Sequence, residues 1–175
     1  DREIPGWNQR ELQDSIKLVR ERMTPNWDIH PEMVTHTRII DTKTGHPYPE
    51  ISPRFMENWD WCNGRSADEI ADYMSYALTI LKNIGLPCEG ITTPGGFGSK
   101  ARPQLAQATF ESCRSVFKAE IPHYFRDLFA SGDQSVAPIV QNASALDSGD
   151  PRCVVPIIGC TGDWDPSCTN SMIAY

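Results

Sequence analysis

Three places along this 175-residue chain put residue types that carry chemistry at positions where α/β proteins build their sites. They are His36 with Thr37, the run Thr92-Thr93-Pro94-Gly95-Gly96-Phe97, and Asp163 with Trp164. An imidazole moves protons near neutral pH or binds a metal, and a carboxylate serves as base or ligand. Each place follows a stretch expected to be a strand. Parallel strands of an α/β fold deliver their exits to one face, so residues distant in sequence can share a site there.

The histidines invite a metal assignment that strand geometry resists. In an extended segment His30 and His36 would point the same way but stand about 20 Å apart at about 3.3 Å per residue. Ligands of one zinc lie within a few ångströms of each other. His36, nearer the exit, is therefore the better ligand or acid–base candidate, and His46 in the following loop can swing back to join it. His123, within IPHYF, reads as a packing residue. No G-x-S-x-G elbow exists for a serine nucleophile, and GITTPGGFGSKA lacks the lysine-serine/threonine ending of a phosphate-binding loop. A glycosidase would need two carboxylates at a suitable separation; Glu32, Glu89, Asp163 and Asp165 are available, and no signature singles out a pair.

The elements that must position these groups are legible in part. Over residues 66–98 Ser66 and Glu69 form a capping box, and Ile70, Met74, Ala77, Leu78, Leu81 and Ile84 recur at helical spacing. Gly85 then ends the helix, Pro87 prevents its restart, and residues 88–93 form a short strand that empties into the glycine loop. Asn8 with Glu11 caps an earlier helix bearing Leu12, Ile16, Val19 and Met23, stopped at Thr24-Pro25. Residues 27–37 read as extended, with Pro31, awkward in a central strand, marking a bulge or an irregular entry. Residues 41–65 hold three prolines and two glycines and are too long for a simple connection, which predicts a functional or lid-like loop. Beyond the glycine loop, residues 103–118 form a helix, residues 121–129 a strand or a short helix, residues 136–140 a weak strand and residues 153–160 a buried strand. This alternation favours a parallel α/β arrangement, most simply part of a barrel.

A net charge of −7 and a pI near 5.0 argue against a nucleic-acid surface, which needs clustered Lys and Arg. No apolar run approaches the roughly 20 residues that span a bilayer, and no secretory signal opens the chain. The start DREIPGW and the stop at SMIAY suggest a mature form or, more strongly, an internal piece of a longer protein, one partial domain over residues 1–175, leaving a cytoplasmic and an exported location both open. Of six cysteines, Cys88 and Cys113 fall in apolar settings as buried thiols, while Cys153, Cys160 and Cys168 lie close together. No C-x-x-C pair supports structural zinc; one late disulfide, and a sequon at Asn142, would matter if the protein is exported.

The segment from Trp27 to Trp164 resembles the polysaccharide deacetylase family through HPEMVTHTRIID, YALTILKNIGLPCEGITTPGGFG and IIGCTGDW. The resemblance implies a distorted (β/α)7 barrel and a carbohydrate deacetylase in which a divalent metal such as zinc polarises the acyl carbonyl and activates water. It implies His36, with His46, as metal ligands, Asp163 as a catalytic residue, and Thr92, Thr93, Pro94 and Trp164 as substrate contacts. Trp59 and Trp61 could add stacking surface. The chain departs from the family pattern: Ile40 stands at the second histidine of His-Thr/Ser-x-x-His, and Thr92 at the arginine of Arg-x-Pro. The early Asp-Asp and late Leu-x-His motifs are absent from these residues. A non-catalytic glycan-binding relative and a glycosidase are the competing expectations.

Overall fold

A computed structural model describes Gly6 and residues 8–24, 26–94, 97–98, 100–120, 122–125, 139–142 and 156–159. Helix α1 (Gln9–Leu18) begins at the anticipated capping box, with Asn8 and Glu11 each satisfying the other's backbone N–H. It runs on through a π-helical turn, Val19–Met23, which ends at Thr24. Ile16 alone in α1 is buried. Arg20 at the end of this run donates to the Ile84 carbonyl at 2.5 Å, tying it to the end of the next helix.

Helix α2 (Ala67–Asn83) has Ser66 as N-cap and Glu69 closing the box. Its apolar stripe buries Ile70, Met74, Ala77 and Leu78, joined by Ala71 and Tyr73, and Gly85 follows in the left-handed region at φ +72°. Helix α3 (Arg102–Phe117) packs along α2. The Thr109 and Ser112 hydroxyls of α3 meet the Met74 sulfur at 3.8 and 3.9 Å while also bonding α3 carbonyls. Fully buried Leu105 and Cys113 complete the seam.

A hairpin pairs β1 (Ile40–Asp41) with β2 (His46–Pro47). The main sheet holds β3 (Gly90–Thr92), β4 (His123–Phe125), β5 (Ile139–Asn142) and β6 (Pro156–Gly159) in the order β3-β4-β6-β5. β3 with β4 and β4 with β6 are parallel, and β5 closes one edge antiparallel to β6. On the far side of β3, Glu32 forms a parallel bridge to Thr92, and the Thr92 N–H donates to the Pro31 carbonyl at 3.1 Å. Ile91 of β3 joins the α2–α3 core.

Two expectations are corrected here. Residues 27–37 do not form a continuous extended strand: the pairing stops at Glu32, and Met33 (φ 57°) and His36 (φ 66°) turn the backbone into the left-handed region. The stretch 41–65 is no free lid either, because part of it enters the core. Trp61 is 6% exposed, stacks on Phe97 at 6.0 Å and meets Tyr73 at 4.6 Å, and Cys62 is fully buried. Arg65 lies 4.4 Å above the outer face of the Trp61 ring. Trp59, 51% exposed, is the one of that pair left facing solvent.

Candidate functional site

The carboxyl end of the Pro31–Glu32 segment lies beside the carboxyl end of β3, which is where open α/β sheets bind ligands. The chain leaves the first of these through Met33, Val34, Thr35, His36 and Thr37, and leaves β3 through Thr93 and Pro94. In that first exit the His36 Nδ1 stands 3.0 Å from the Glu32 Oε1, with both side chains substantially open to solvent. A carboxylate on Nδ1 orients the ring and leaves Nε2 as its second proton-carrying or ligating atom.

Beneath this loop lies a side chain that the sequence did not single out. Glu57 is fully buried, and its carboxylate accepts from the Thr35 N–H at 2.9 Å, the Val34 N–H at 3.2 Å and the Tyr73 hydroxyl. Burial pushes its pKa above the usual carboxylate range; the Tyr73 hydroxyl and the backbone N–H groups of Thr35, Val34 and His36 pull the other way. Successive N–H groups converging on one anion form a nest, here filled by the protein's own carboxylate. Burial and the neighbouring Glu57 charge raise Tyr73 far above the ordinary phenol value, so its proton stays on and is donated. The same hydroxyl accepts from the Ile40 N–H at 3.2 Å, and the Glu57 N–H returns to the Thr37 carbonyl. Glu57 shares the apolar-rich run FMENWDWC with a second acid, Asp60, so local composition does not single it out.

The other anticipated site residues divide. Thr92 is half-buried beside Glu32, whereas Thr93 and Pro94 are buried and serve to anchor the loop, Pro94 accepting from the Phe97 N–H at 2.9 Å. His46 is exposed on β2 opposite Asp41, in the hairpin. Ile40, at the second-histidine position, is on β1 and packs against the core. Asp163, Trp164, Asp165 and the late cysteines Cys153, Cys160 and Cys168 lie outside the described residues. Glu89 precedes β3 and so belongs to the opposite end of that strand from Glu32.

A zinc site takes three or four protein donors. Among the described residues no group of three or more His, Cys, Asp or Glu side chains is placed to hold a metal ion. His36 with Glu32 has the carboxylate–histidine form of a single ligand and its support, short of the complete donor set. Among the described residues, too, no helix is long and apolar enough to cross a membrane. Comparison of the chain with protein-family models, curated proteins and solved structures found no match.

Proposed function

We propose that this chain is a carbohydrate deacetylase-like hydrolase, on an α/β domain that forms part of a distorted (β/α)7 barrel. The observation that carries the reading is the Glu32–His36 pair, solvent-facing at a strand exit and bridged through Glu32 to Thr92 on the neighbouring strand. Glu32 holds the imidazole through Nδ1, and Nε2 is the atom that takes or gives the proton as water attacks the acyl carbonyl. Thr92 lines the adjacent exit and offers a hydroxyl to the sugar. Asp163 and Trp164, which follow β6 in sequence, are assigned the roles of second acid–base group and sugar platform. A divalent metal such as zinc would polarise the acyl carbonyl; were further donors to complete a site, His36 would serve as its ligand in place of the proton-transfer role.

Acetate release from acetylated oligosaccharides tests this, with and without added zinc. Wild-type protein is expected to release acetate, and His36→Ala to lose about 10²-fold or more of that rate. Chain shortening without acetate would instead establish the glycosidase. A glycan-binding relative without catalysis is the second reading, favoured by Ile40 and Thr92 standing where the family has histidine and arginine. Saturable oligosaccharide binding with no turnover would decide for it.

A further inference from the structure

We propose that Glu57, together with Tyr73, is the positioning residue for His36: a buried carboxylate that sets the backbone turn from which the imidazole reaches solvent. This rests on the reading of His36 as the reacting group. The turn contains two left-handed residues that are not glycine, Met33 at φ 57° and His36 at φ 66°. Such backbone persists where surrounding contacts over-determine it, and it gathers at functional sites.

Those contacts come from Glu57 and Tyr73. Val34 and Thr35 donate to the Glu57 carboxylate, Thr37 accepts from the Glu57 N–H, and Ile40 donates to the Tyr73 hydroxyl that itself donates to Glu57. The chain is thus held on both sides of His36. Thr35 adds an inner brace, its hydroxyl donating to the Arg38 carbonyl at 2.5 Å and accepting from the Thr37 N–H at 3.1 Å. What the brace leaves outward is the His36 side chain, 54% exposed and 3.0 Å from Glu32. Val34, Thr35 and Tyr73 all donate to the Glu57 side chain, so a carboxylate satisfies all three. An isosteric amide would turn its own N–H₂ toward backbone N–H or toward the tyrosine proton, and the turn would have to shift. A displacement near 1 Å in a reacting group costs about 10²-fold in rate.

The test uses Glu57→Gln and the milder Tyr73→Phe, read by ring ¹H–¹⁵N spectra of the imidazoles. The His36 signal is assigned by its loss in His36→Ala, and its dependence on the carboxylate by Glu32→Gln. In Glu57→Gln with wild-type circular dichroism, the His36 ring signal is expected to move to its Glu32→Gln position while the other three histidines stay unchanged. Acetate release is expected to fall about 10²-fold in kcat with KM within about twofold. Tyr73→Phe should move the signal part of the way. A folded Glu57→Gln protein with the wild-type His36 signal would overturn the proposal. If Glu57→Gln does not fold, an unmoved signal in Tyr73→Phe does the same. Should wild type release no acetate while the ring signal shifts as expected, the deacetylase reading fails and the positioning role stands.

Discussion

Cys62, Cys88 and Cys113 are free thiols sealed in the core, and each would have to ionise in a medium that solvates charge poorly. Burial accordingly raises them from the ordinary 9.0, Cys62 and Cys88 to about 11 and Cys113 to about 12. The sign of the linkage follows. Below pH 9 both folded and unfolded chains keep these protons and the contribution to stability is complete; above it the unfolded chain releases them first, and stability falls as pH rises through 11 to 12. Urea unfolding at several pH values above 8 should show the midpoint dropping, and dropping less steeply in Cys113→Ala. Equal slopes for the two proteins would defeat this attribution. At this scale the sequence spoke clearly where apolar neighbours speak for burial, as around Cys88 and Cys113. It was silent on Glu57, because the value of a buried acid depends on donors contributed by residues 34, 35 and 73, which no local pattern connects.

Among the elements, legibility followed locality. The capping boxes at Asn8 and Ser66 and the left-handed Gly85 satisfy groups within one turn of themselves, so spacing alone revealed them. The break after Glu32 could not be read that way, since Met33 and His36 adopt a conformation that their own side chains disfavour and that tertiary contacts impose. The glycine loop gives an element-scale prediction. Gly98 has φ +71°, and a Cβ there would lie 2.3 Å from Cδ2 of Leu105, a side chain buried in the opening turn of α3. Gly98→Ala should therefore cost about 2–4 kcal/mol, combining backbone strain with overpacking. Gly64, at φ +79° with nothing within 4 Å, carries the strain alone, and Gly64→Ala should cost about 1–2 kcal/mol. Denaturant midpoints of the two variants check the difference; equal losses would show that the Leu105 contact relaxes freely.

Over the whole molecule, the α2–α3 seam against β3 carries the core, and the strand exits are built upon it. Leu78 is fully buried there, and Leu78→Ala should lose about 2–5 kcal/mol through lost burial and the cavity left behind. Ile80, 43% exposed on the other side of α2, should lose under about 1 kcal/mol in Ile80→Ala. Urea titrations with unchanged m-values would check both. A deficit for Leu78→Ala no larger than that for Ile80→Ala would mean the seam is not the stabilising layer. Single helices and short apolar runs were readable one by one, whereas the neighbour of each strand and the antiparallel setting of β5 were not, because pairing joins residues distant in sequence.

That distance has a kinetic side. Helix α2, with both ends specified by its own neighbours, can form on the timescale of helix–coil relaxation. The bridge between Glu32 and Thr92 must wait until a long intervening chain, α2 included, has been folded back, and the entropy of closing that loop is lost before the contact returns anything. The strand exit bearing His36 is thus expected to be assembled late in folding, on a scaffold already in place.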